Sequence, residues 1–157
     1  MSRTIPFQRS SQATRARLSK AQLLPIPRAV ADELALAAHV SLATLRSGST
    51  DIAPAQQITE AMLLTKFLAE AGHGDFTYDE LLLADQTMAA VFDAGRASGI
   101  WSLPPEGFDR LAAIVSLYDH QLRRATLGAL SVASERLERF KTGEPYQPMQ
   151  SSKSAPL

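Results

Sequence analysis

The stretch FDRLAAIVSLYDHQLRRATLGALSV, residues 108–132, places apolar side chains at Phe108, Leu111, Val115, Tyr118, Leu122, Ala125, Ala129 and Val132. The steps alternate between three and four without a slip. A mean spacing of about 3.5 residues is the period of a helix lying along a bundle or coiled-coil seam. Beyond Val132 the stripe shifts to Ala133, Leu137 and Phe140. A continuous helix over 106–140 would be about 50 Å long, against about 30 Å for each other helix the chain can form. The excess needs cover. Either the helix breaks near Gly128, or its last third packs on the first helix and the N-terminal arm, or it pairs with another subunit.

Working back toward the N-terminus, three shorter helices precede this one. Thr77-Tyr78-Asp79-Glu80 is a capping box, in which the Thr77 hydroxyl and the Glu80 carboxylate each satisfy a backbone N–H that the helix start leaves unpaired. Phe76 and Leu81 stand at the two staple positions. Leu81, Ala84, Met88, Val91, Phe92 and Gly95 form the inner face of that third helix, and Gly99 ends it. The second helix begins near Pro54, or slightly earlier with Asp51 as its cap. It runs to residue 71 with Ile58, Ala61, Met62, Thr65, Leu68 and Ala69 as its buried stripe, and Gly72-His73-Gly74 stops it. The first helix covers 27–46, opened by the prolines at 25 and 27. Asp32 and Glu33 near its start and Arg46 at its end suit the helix dipole. Val30, Leu34, Ala37, Ser41 and Leu45 form its expected inner face.

Composition narrows the class. The chain has 157 residues, 45% of them hydrophobic, with no cysteine. That excludes disulfides, thiolate nucleophiles and thiolate metal ligands, and it suits a reducing compartment. No apolar run approaches the ~18 residues of a membrane span, and no secretory leader is evident, so the expected location is cytoplasmic. A net charge of zero conceals a segregation. Arg3, Arg9, Arg15, Arg17, Lys20 and Arg28 make residues 1–28 purely basic, while residues 29–105 carry three basic and ten acidic groups. A basic arm on an acidic body can reach a polyanion or lie back on its own surface.

The pattern from Leu45-Arg46-Ser47-Gly48 through Phe67-Leu68-Ala69-Glu70-Ala71-Gly72-His73-Gly74 continues into Gly99-Ile100-Trp101 and then Leu117-Tyr118-Asp119-His120-Gln121-Leu122. Over roughly residues 34–137 it resembles a family of small uncharacterised helical proteins of proteobacteria and their prophages and plasmids. The resemblance implies an accessory or mobile-element protein, and some relatives carry the label of transcriptional regulator. It supplies no catalytic residues.

Candidate chemistry is sparse. His39, His73 and His120 form no recognised zinc motif, and the carboxylates of the third helix lack the Glu-x-x-His partners of a di-metal bundle. Trp101, the sole tryptophan, either plugs the end of the bundle or serves as an exposed anchor, a role tryptophan often fills at interfaces. Arg123, Arg124, Arg136, Arg139 and Lys141 give the C-terminal helix a basic half, interleaved with Glu135 and Glu138.

The expected fold is all-α: an antiparallel four-helix bundle over 27–141 with a long C-terminal helix, preceded by a flexible basic arm (1–26) and followed by a disordered tail (142–157). The expected function is that of a non-enzymatic interaction or adaptor protein that binds a protein partner or itself, with Trp101, Leu137 and Phe140 as contact residues. The alternative is a DNA-binding transcriptional regulator that sets Arg3, Arg9, Arg15, Arg17 and Lys20 on phosphates, with the C-terminal helix alongside. Neither reading invokes a catalytic residue, cofactor, metal, membrane or small-molecule substrate.

Overall fold

A computed structural model describes residues 20–143. After a helical turn at 20–23 come five helices: α1 (Arg28–Ser47), α2 (Ala53–Glu70), α3 (Tyr78–Ser98), α4 (Pro105–Arg124) and α5 (Leu127–Lys141). Among the described residues the only sheet-like pairings are two isolated bridges, Pro25 with Thr126 and Ser49 with Trp101. The fold is all-helical.

Helix α2 is the element the others share. It packs against α1, α3, α4 and α5, and α1 and α4 also pack on each other. Every residue from Ala61 to Leu68 is buried, including Thr65 and Lys66. A helix surrounded on all sides must be apolar almost all round, and AMLLTKFL meets that demand with two exceptions. Thr65 donates its hydroxyl to Ala61 O within the helix (2.8 Å). Lys66, wholly buried, brings its Nζ to 3.9 Å from Glu70 Oε1.

The element boundaries follow local chemistry. Thr77 accepts from Glu80 N at 3.2 Å and Glu80 Oε2 accepts from Thr77 N at 3.0 Å, so the capping box forms as read. Leu81 is buried and Phe76 partly buried beside the core. At the end of α2, His73 N donates to Leu68 O and Gly72 N to Ala69 O, each at 3.0 Å. That pair of bonds needs a left-handed residue after the cap, and Gly72 has φ +95°.

The long C-terminal helix does not form. Ala125 and Thr126 are both extended, with ψ 155° and 157°, and they separate α4 from α5. Thr126 restarts the helix by accepting from Ala129 N (3.1 Å). The backbone groups freed at the break are taken up by residues 24–26: Leu127 N donates to Leu24 O (2.8 Å) and Ile26 N to Ala125 O (3.4 Å). Ile26 is buried against this junction. Gly128 is needed there, because a Cβ would stand 2.8 Å from Gln22 Cβ and 3.0 Å from Gln22 O. Of the three ways of covering the seam's excess, the chain takes the break. The detached third then packs on α2 rather than on α1, burying Leu130, Ala133 and Leu137, while Val132 turns outward at 58% exposure. A central helix with four neighbours thus replaces the expected four-helix bundle.

Candidate interaction face

The inner face of α1 agrees with the sequence reading at Ser41 and Leu45, and at the partly buried Leu34, but departs from it in the first half of the helix. Its buried residues are Ala31, Ala35, Ala38, Ser41, Leu42 and Leu45, whereas Val30 and Ala37 are exposed. The cause is that α1 is apolar on both sides. Its outward face carries Ala29, Leu36, Val40 and Ala43, with Leu36 64% and Val40 55% exposed. Val30 and Ala37 flank them. Glu33 is the single charged side chain on a face that spans ~140° of the helix circumference at 3.6 residues per turn. Thr44, at the edge, commits its hydroxyl to Val40 O of its own helix (2.8 Å).

Single exposed apolar residues are ordinary, but a contiguous apolar stripe rimmed by charge marks a contact surface. Alanines on a solvent face also satisfy helix propensity, so they do not decide the matter. Val30 and Val40 do, since valine is a poorer helix former than the lysine, glutamate or arginine usual at such positions.

Charge lines one edge of this face, at Asp32 and His39. His39 Nε2 donates to Asp119 Oδ2 (3.2 Å), Arg123 Nε donates to Asp119 Oδ1 (2.9 Å), and Arg123 reaches Asp32 at 3.4 Å. Burial pushes the Asp119 carboxyl up, but the hydrogen bonds from His39 and Arg123 outweigh it and hold the group below its ordinary value. Ser41 Oγ donates to Gln57 Oε1 on the α2 side. α1 is therefore tied to α4 along one flank and to α2 along the other.

The contact residues expected from the sequence are placed elsewhere. Leu137 is 6% exposed, inside the α2–α5 packing, and is unavailable to a partner, because the break turns that part of the stripe onto the chain's own core. Trp101 is half-buried, not an exposed anchor. Its backbone exchanges two 2.8 Å hydrogen bonds with Ser49, and its ring lies where a Cβ on Gly95 would stand, 2.1 Å from the indole Nε1. Phe140 is 38% exposed near the end of α5. Arg3, Arg9, Arg15 and Arg17 lie outside the described residues, as do positions 144–157 of the expected tail; Lys20 is exposed. The basic half of α5 is tied to acids: Arg136 to Glu70 (2.6 Å), Arg139 to Glu135 (2.8 Å) and Lys141 to Glu60 (2.8 Å). The hydrogen bond from Lys141 to Glu60 raises the lysine's pKa.

Cavities also open among the described residues. One of about 440 Å³ is lined by Gly72, His73, Gly74, Leu117, His120, Gln121 and Arg124. Gln121 is itself buried and donates through Nε2 to Thr65 O (3.0 Å) and His73 O (2.7 Å). It thereby ties α4 to the end of α2. Another, about 720 Å³, lies between α3 and the start of α4 around Val91, Pro104 and Gly107. Among the described residues no group of three or more His, Asp or Glu is placed to hold a metal, and no helix is long and apolar enough to cross a membrane. No protein-family model, curated protein or solved structure matches the chain.

Proposed function

We propose that this chain is a non-enzymatic helical interaction module that binds a protein surface through the outward face of α1. One observation carries the reading: a helix docked on α2 and α4 presents Leu36 and Val40 to solvent on a stripe whose single charged residue is Glu33. Covering an exposed leucine or valine side chain fully is worth about 1.5–3 kcal/mol, so a complementary helix has a driving force there.

A photo-reactive benzoylphenylalanine at Val40 of the full chain, irradiated in the cells that encode it, tests the reading. A protein adduct is expected at position 40 and not at the control position Asp93, which is exposed on α3. Absence of any adduct at 40 would remove the role from α1.

A further inference from the structure

We propose that the α4–α5 corner is a hinge across which two copies of this chain exchange their α5 helices, with residues 22–26 as the latch that holds each α5 on its own α2. The surface concerned is already occupied in the structure. α5 runs back along α2: Arg136 Cζ lies 4.1 Å from the Phe67 ring centroid, its Nη1 is 2.6 Å from Glu70, and Lys141 Nζ is 2.8 Å from Glu60. Leu130, Ala133 and Leu137 are buried in that packing. What fits the α2 groove is therefore an α5, whichever copy supplies it. The proposal is independent of the reading of the α1 face.

The backbone at the corner explains why the hinge can open. A helix carried through it would bond each N–H to the carbonyl four residues back. Ala125 N still does so, to Gln121 O (2.7 Å), and Leu130 N does so again, to Thr126 O (3.1 Å). The extended Ala125 and Thr126 thus interrupt only the helical bonds of residues 126–129. Leu127 N is met instead by Leu24 O, and Ala129 N by the Thr126 hydroxyl. The bent form depends on the latch, whereas a straight helix satisfies the same donors within itself. No proline lies between 105 and 145 to forbid it.

A straightened chain would carry α5 away on a helix about 55 Å long over 105–141, baring one α2 groove and one α5 face. Two such chains cover both by docking each α5 on the other's α2. That two-fold dimer repeats every α2–α5 contact and differs from two monomers at the hinge, and short hinges favour such an exchange. Its strength rests on a contact that already holds the fold. Lost translational freedom opposes association, so the dilute chain is a monomer and concentration drives the exchange.

The experiment is sedimentation velocity of the full chain, 17.0 kDa as a monomer, after refolding at high concentration. A dimer should form and persist on dilution, because α5 must undock to revert. Two hinge variants should act in opposite directions. An alanine Cβ at 128 would stand 2.8 Å from Gln22 Cβ and 3.0 Å from Gln22 O, a clash present only while the latch is closed. Overpacking of this kind is worth about tenfold in an equilibrium constant, so with two hinges Gly128→Ala should raise the dimerisation constant about a hundredfold. Proline at 126 suits the bent form, where φ is −79° and Ala125 before it is extended, but not the interior of a straight helix. Thr126→Pro should therefore stay monomeric. Crosslinking separates exchange from side-by-side association. Glu60→Cys and Lys141→Cys, both partly exposed, are placed in separately tagged chains that have no other cysteine. The two are refolded together, and a short bismaleimide should join one chain to the other. A Gly128→Ala chain that stays monomeric overturns the proposal, as does a dimer without crosslinks between chains, or a Thr126→Pro chain that dimerises as readily as the unmodified one. A dimer dispersed by Val40→Glu would belong to the α1 face and would also overturn it.

Discussion

A methyl group at position 95 would stand 2.1 Å from the indole Nε1 of Trp101 and 2.2 Å from its Cδ1. The glycine inside α3 therefore gives up helix propensity to make a seat for the ring. That Nε1 is buried with no hydrogen-bond partner among the described residues, a cost of about 1–3 kcal/mol that burial of the ring must offset. Gly95→Ala should expel the indole and destabilise by about 1–3 kcal/mol. Urea unfolding would show it, and so would a red shift in the emission of the sole tryptophan; an unchanged spectrum would mean the ring is not seated on Gly95. Asp119 is the second residue with a measurable signature. Its carboxyl has a lower pKa folded than unfolded, so the unfolded chain binds more protons in that window and stability rises with pH through it. The contribution is complete above the unfolded value of about 3.9 and is lost as pH falls through the lower folded value. Asp119→Asn should cost about 0.5–1 kcal/mol at neutral pH, the size expected of a half-exposed network. Its stability should converge with that of the unmodified chain in acid, and a difference that persisted there would point to packing rather than charge.

Among the elements, α3 was the most legible. Its capping box, staple, inner face and terminal glycine all occur as the sequence implies, because caps and staples are local chemistry that no distant contact has to supply. The α4–α5 break was only half legible. Gly128 stood out as a weak point, but the three-four seam runs through 125–126 without a slip, and Thr126 lacks the glutamate that would have completed a capping box. What decides the break is residues 24–26, nearly a hundred positions away in sequence, and periodicity carries no information about them. Thr126→Ala should cost about 1 kcal/mol by removing the side-chain cap on Ala129 N. Because Leu130, Ala133 and Leu137 dock α5 on α2, the loss should appear first as faster amide exchange in 127–141, with α4 protected as before. Equal loosening of both helices would mean that they behave as one. Helix α1 was misread at Val30 and Ala37, though not at Ser41 and Leu45, for a different reason. Apolar residues on both faces give two phases that fit equally well, and only its neighbours choose between them.

At the level of the whole molecule, the all-helical class and most of the core were open to sequence reading, whereas the arrangement was not. Four stripes suggest four helices side by side, the last of them the longest. Ala61–Leu68 shows instead that one helix is enclosed by the rest, and Lys66 inside that run is what a stripe analysis assigns to solvent. The candidate site escaped the same way. Leu137 belongs to a stripe, and a stripe residue looks identical whether it meets its own core or another chain. Trp101 likewise closes the chain on itself, pairing its backbone with Ser49 and so joining the turn after α1 to the connection before α4. The pairing of 24–26 with 125–127 bears on the order in which the protein is made. Residues 24–26 leave the ribosome early and then wait for some hundred further residues, about 5–20 s at ordinary elongation rates. During that interval Ile26 and the carbonyl of Leu24 lack their partners at the corner, which cannot close until residues 125–127 have emerged. The corner between α4 and α5 is therefore among the last features to be drawn, and a bulky fusion placed just ahead of residue 20 should disturb a helix at the opposite end of the chain.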